Sequence, residues 1–273
     1  MKTTVQLFYP TTRLFLLLAV LILGGRLWAD DTNQWKFQVT GLRVVAPPAE
    51  SGDNARGAFF SSPGVALVVT LTPAAGKIVS LDQFESKVDS FTDDKGTDLL
   101  AVKSEDPFNK PGIGTMENKE SYATFEIQAA GVPAKGATEL KVAGKVVVKT
   151  AAATKQFTVE NVAITNHTSF TCGDLPITIT AAGLGKAMFS SDKEFSVNFS
   201  STKDLESIAK LEFLDAQGNK VEAHKTSWGG GMGAYFVEFT LKRSVDHARI
   251  VATCWEDMKT VEVPISLQTG VGL

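Results

Sequence analysis

Three aspartates crowd one glycine in SFTDDKGTDLL, residues 90–100, and oxygen ligands at that density are what a calcium loop requires. An EF-hand loop places oxygen ligands at its first, third and fifth positions, glycine at the sixth and a bidentate glutamate at the twelfth. With Gly96 as the sixth, Phe91 falls first, Lys95 fifth and Val102 twelfth, so the template fails. A second copy of the motif, EFLDAQGNKVE over 212–222, aligns Gly218 with Gly96, Phe213 with Phe91, Asp215 with Asp93 and Val221 with Leu99. It puts Ala216 and Lys220 where Asp94 and Asp98 stand, so the shared feature is a bend and not a charge cluster. The expectation is a hairpin turn and no metal; a different calcium site built from Asp93, Asp94 and Asp98 is the alternative.

Other reactive patterns are missing. His167, His224 and His247 stand far apart in sequence, without the spacing of metal ligands. No G-x-S-x-G elbow and no cysteine–histidine arrangement points to nucleophilic catalysis. GLGKAMFSS, residues 183–191, lacks the glycine spacing before the lysine and the Ser/Thr after it that would cradle phosphate. The chain therefore reads as a non-enzyme with no catalytic residue and no cofactor. Two features suit recognition instead. Trp228 precedes a glycine run in KTSWGGGMGAY, and with Tyr235 and Trp255 it forms a candidate binding surface for a protein or a glycan. Alternatively, Trp228 caps a core while the glycines let the chain turn. Trp255 follows Cys254, so on a strand the two point to opposite faces.

The elements that position these residues are set by an internal duplication. After each turn comes a tyrosine-led strand, YATFEIQ from Tyr122 and YFVEFTL from Tyr235. ATELKVAGKVVVK then parallels HARIVATCW, and FTVENVAI, 157–164, parallels KTVEVPIS, 259–266. Ahead of each turn, SLDQFESKV and TKDLESIAK have the spacing of a short helical turn capped by Ser or Thr. The first copy carries an insert around 103–120, whose EDPFNKPGIG suits an irregular surface connection.

Within the copied segments apolar residues recur at every second position: Val237, Phe239 and Leu241 in one, Val261, Val263, Ile265 and Leu267 in another. That period gives each strand one face for a core and one for water. The fold expected is all-β, two tandem antiparallel β-sandwich domains, 30–164 and 165–273, joined by the short polar stretch TNHTS. In architecture it resembles the immunoglobulin-like sandwiches, although no tryptophan lies a strand beyond Cys172 where their core tryptophan stands. Cys172 and Cys254 both fall in the second domain, and a disulfide clamping its beginning to its end is expected.

The N-terminus supplies the compartment. Lys2 and Arg13 precede LFLLLAVLIL, and Ala29 offers a small residue for cleavage, which reads as a signal peptide over 1–29. Ten apolar residues are too few to span a bilayer, which takes about 20. Secretion or a periplasmic location follows, with no membrane span once the signal is removed; an uncleaved anchor is the alternative. Without residues 1–29 the 27 basic residues fall to 24 against 30 acidic, a net charge of −6 that disfavours nucleic acid. The functional expectation is an exported, non-enzymatic protein of two sandwich modules that binds a protein partner or belongs to an extracytoplasmic assembly. A carbohydrate-binding module is the alternative, and a secreted hydrolase or calcium-dependent protein a third.

Overall fold

The computed structural model describes residues 35–46, 63–103, 112–186, 194–231 and 233–271. The expected signal peptide, residues 1–29, lies outside them, as do residues 104–111 and 187–193.

The described residues are nearly all strand: β1 (Trp35–Val45), β2 (Gly64–Pro73), β3 (Lys77–Asp93), β4 (Gly112–Lys119), β5 (Tyr122–Ala129), β6 (Glu139–Ala151), β7 (Ala153–Ala163) and β8 (Ser169–Cys172). They continue as β9 (Leu175–Leu184), β10 (Phe195–Ser201), β11 (Ile208–Leu214), β12 (Lys220–Val221), β13 (Ala223–Gly231), β14 (Ala234–Leu241), β15 (His247–Glu256) and β16 (Lys259–Gly270). No described helix is long and apolar enough to cross a membrane. The alternation seen in sequence is the cause of the strands: in β5, buried Ala123, Phe125, Ile127 and Ala129 alternate with half-buried Tyr122, Thr124, Glu126 and Gln128.

All the sheets are antiparallel, in the orders β1-β2-β5-β4, β16-β6-β3, β13-β14-β10-β9-β8 and β12-β11-β15-β7. The fold is sandwich-like, with two buried apolar clusters. The first draws Leu67, Leu71, Phe91, Phe125 and Leu140 from the first two sheets. The second draws Ile177, Phe199, Phe213, Phe239 and Ile250 from the other two. In the second, the Phe199 ring lies 5.9 Å from Phe213 and 6.1 Å from Phe239, aromatic contacts each worth about 0.5–1.5 kcal/mol beyond area burial.

The two sets of sheets repeat one strand order, β1-β2-β5-β4 corresponding to β9-β10-β14-β13 and β3-β6-β16 to β11-β15-β7. The last pair is exchanged. β7 ends the first half of the chain yet pairs with β15, and β16 ends the second half yet pairs with β6. Neither chain turns back at the point where a hairpin would form. Only Ala152 separates β6 from β7, and only Asp257 and Met258 separate β15 from β16. Residues 139–163 therefore run against 247–270 as one antiparallel ribbon, its register carried through from Thr150↔Lys259 to Ala153↔Glu256. The Ala152 N–H donates to the Glu256 carbonyl at the crossing.

Two strands thus cross the division expected near Ile164. Val263 and Ile265 of β16 are buried in the first core, and Val162 of β7 in the second. The ribbon keeps the signature of the duplication: Glu160 of β7 pairs with Arg249 at 2.6 Å, and its counterpart Glu262 of β16 pairs with Lys145 at 2.7 Å.

The expected helical turns are shorter than their spacing suggested, and they are capped by aspartate. Leu205–Ser207 forms a single 3₁₀ turn, with the Asp204 carboxylate accepting the Glu206 N–H. In the first half, β3 leaves its ladder between Asp82 and Lys87, and the Asp82 carboxylate accepts the N–H groups of Phe84 and Glu85.

The matched tyrosines are out of step by one residue. The ladders set Ala123 of β5 where β14 has Tyr235, so Tyr122 faces away from the core and donates its hydroxyl to Glu117 while Tyr235 packs against the core. A one-residue slip exchanges faces because side chains alternate strictly. The first-half insert is also more regular than expected: its residues 112–119 form β4, the counterpart of β13.

Candidate functional site

The two aspartate turns are built alike. The Asp93 carboxylate accepts the N–H groups of Lys95 (2.9 Å) and Thr97 (2.8 Å) through one oxygen and that of Ala134 (2.7 Å) through the other. Asp215 accepts Gln217 (2.9 Å) and Asn219 (2.8 Å) in the same way, and its second oxygen takes the Arg243 guanidinium. Gly96 and Gly218 hold φ of 87° and 82°, and each donates its N–H to the carbonyl of its aspartate. Burial by itself would raise the Asp93 pKa, but the donors Ala134, Thr97 and Lys95 outweigh it and hold the carboxyl at about 2. The Arg243 contact is foremost in holding Asp215 at about 2 as well.

The neighbouring aspartates serve other backbone groups. Asp94 binds the N–H and hydroxyl of Thr138, and Asp98 accepts the Leu100 N–H. The three carboxylates therefore diverge, and no group of three or more His, Cys, Asp or Glu able to hold a metal occurs among the described residues. The histidines lie on separate elements: His167 in the turn after β7, His224 on β13 and His247 at the start of β15.

The expected disulfide is corrected. Cys172 and Cys254 are both buried and both free thiols. They line a cleft of ≈ 160 Å³ with Phe157, Asp174, Ser207 and Trp255. Burial pushes the Cys172 thiol up to about 11, reinforced by Cys254; burial and then Asp174 push Cys254 up too. An even cysteine count permits a bridge but does not impose its geometry. The clamp that the bridge was expected to provide comes instead from β7, whose whole length is laddered onto β15.

The aromatic candidates divide between two sheets. Trp228 and Tyr235 share the β13–β14 hairpin, whereas Trp255 sits on β15, half-buried, with the Lys77 ammonium 5.6 Å from its ring centre. Trp228 is 70% exposed, and the Lys225 ammonium lies 5.1 Å from its ring centre. The glycine run is strand and not a mobile loop. A Cβ at Gly229 would come 2.9 Å from the Phe236 ring and one at Gly230 2.5 Å from the Tyr235 ring, so the glycines leave room for cross-strand rings.

A shallow cleft of ≈ 210 Å³ lies beside the ribbon crossing, lined by Lys149, Asp204, Glu206, Met258 and Lys259, with Lys149 paired to Glu206. Its charges neutralise one another. Sequence reading missed five exposed apolar side chains: Val102, Leu184 at the end of β9, Phe84 in the β3 excursion, Met116 on β4 and Phe236 on β14. The last two lie in alternating strands, and alternation does not say which strand ends a sheet.

The described residues define an all-β, sandwich-like protein of antiparallel sheets. Compared with known protein families, curated proteins and solved structures, the chain has no match.

Proposed function

We propose that the chain is an exported, non-enzymatic protein built from two immunoglobulin-like β-sandwich modules, one founded on each of the halves 30–164 and 165–273 and completed by the last strand of the other, and that it acts by binding protein within an extracytoplasmic assembly. One observation carries the reading: Trp228, the residue type most often dominant at protein interfaces, stands 70% exposed on the strand that ends a five-stranded sheet. Its backbone is laddered onto β14 and its ring meets the Lys225 ammonium, so part of the ordering that burial by a partner requires is already made. The aromatic platform of the carbohydrate reading has less support, since Trp255 lies on another sheet under Lys77.

The test is a photoreactive amino acid at position 228 in the full chain, expressed in its own cell and irradiated there. A discrete adduct in the secreted or envelope fraction, lost when unmodified protein competes, is the expected result. Recovery of the protein in the cytosol without its adduct, or turnover of a small substrate by the purified chain, overturns the reading.

A further inference from the structure

Sheets that end in open strands invite pairing with other chains, and proteins guard such strands with bulges, prolines, charges or shortness. Nearly every edge here is guarded. β1 carries a bulge with Lys36 and Arg43, β3 three bulges, and β4 a bulge with Glu117 and Lys119. β7 has a bulge with Lys155 and Glu160, β16 has Pro264, and β8 and β12 span four and two residues. β13 is guarded only in its first half, by Lys225 and the bulge that follows it. From Ser227 to Gly231 it has no charge, no proline and no bulge.

We infer that this stretch is the interface of a symmetric dimer, in which β13 of one copy pairs antiparallel with β13 of a second copy about a twofold axis at Gly229. The inference rests on the protein-binding reading of Trp228 and names the partner as the chain itself. The Lys242 N–H donates to the Glu222 carbonyl, so Glu238, Phe236 and Ala234, at every second position along β14, also face β13, and their partners Ser227, Gly229 and Gly231 direct their N–H and C=O groups to β14. Trp228 and Gly230 direct theirs outward. An axis at Gly229 sets Trp228 opposite Gly230 of the second copy, so the outward groups of each meet those of the other in one register.

Side chains fit the same register. Opposite residues of an antiparallel pair share a face, so each Trp228 ring comes to the face of the second copy's Gly230 that the Tyr235 ring already covers, and the two rings stand side by side. A ring over a glycine is the arrangement this hairpin uses twice within itself. Charge is compatible too: Lys225 comes opposite Gly233 and His224 opposite Ala234, so no like charges meet. Pairing covers the one unguarded edge among the described residues of each copy, and assembly stops at two instead of growing into a fibre.

The experiment is light scattering of the mature full chain at tens of micromolar, with variants checked for native circular dichroism. Twice the chain mass is expected for the wild type and for Trp228→Phe. Trp228→Lys and Gly231→Lys should each weaken dimerisation at least tenfold. A side chain at Gly231 meets nothing within 4 Å, so the second variant tests the edge without disturbing the fold. Met116→Lys, on the guarded edge β4, should leave the mass unchanged. A monomeric wild type overturns the dimer while leaving the protein-binding reading to the photocrosslinking experiment. A dimer that survives Gly231→Lys, or one that dissociates equally with Met116→Lys, overturns the assignment to β13.

Discussion

Replacing Asp93 separates the scaffold reading of its turn from a metal reading. Asp93→Ala removes the acceptor of three backbone N–H groups. Those of Lys95 and Thr97 lie in the turn, where water replaces the carboxylate in part. The Ala134 N–H, which ties a second loop to the turn, loses its partner over a buried aspartate site. An unsatisfied buried donor costs about 1–3 kcal/mol; Ala134 is half-buried, and with the two turn donors also released a loss of about 2 kcal/mol is expected. For a chain of this size that lowers Tm by about 4–8 °C. Asp94→Ala and Asp98→Ala, which serve exposed groups, should each cost less than about 1 kcal/mol. The pH dependence has a definite sign: the folded carboxyl titrates at about 2, below its ordinary 3.8. Its stabilisation is complete above the ordinary value and is lost as pH falls from near 4 through about 2. The gap between wild type and Asp93→Asn in urea unfolding should therefore narrow across that window and stay constant above it. Equal Tm values in EDTA and in excess Ca²⁺ complete the expectation. A Tm raised by calcium and lost with Asp94→Ala, or an Asp93→Ala protein as stable as wild type, refutes the argument.

Four further outcomes follow from the ribbon and the core. A Cβ at Gly144 would collide with the Lys87 carbonyl, so Gly144→Ala must push β3 from β6 and should destabilise by about 1–3 kcal/mol in chemical denaturation. Ile265→Ala empties a buried site that the C-terminal strand fills in the first core, at a cost of about 2–5 kcal/mol. Because each core is completed by the other half of the chain, its calorimetric unfolding should remain a single transition, and separate transitions for the two cores would contradict the shared ribbon. The thiols should react slowly with a disulfide reagent in the native protein and titrate as two in denaturant, since burial disfavours the thiolate of both. A titration of none in denaturant would restore the bridge.

Alternation, turn chemistry and internal repetition are local properties, and the chain states them openly. The all-β class, the paired aspartate–glycine bends and the correspondence of FTVENVAI with KTVEVPIS were all legible because period two, Asp at a bend and copied order need no partner to be recognised. Of the candidate site, the exposure of Trp228 was legible only as one of two alternatives, because a glycine-flanked tryptophan suits either a core cap or a surface. Which strand ends a sheet depends on what lies beside it, and that is not written in the strand.

Partnership was decided in three dimensions. Whether β6 turns back into a hairpin or runs on into the other core depends on single connecting residues such as Ala152, and either course satisfies the same alternating pattern. The facing of Tyr122 and Tyr235 was settled by a one-residue register, which sequence similarity cannot resolve. Cys172 and Cys254 are free thiols in the fold, a state that an even count of cysteines does not decide. Sequence by itself determined which segments bury one face; the tertiary structure decided against which strand each face is buried, since pairing energy belongs to two segments at once.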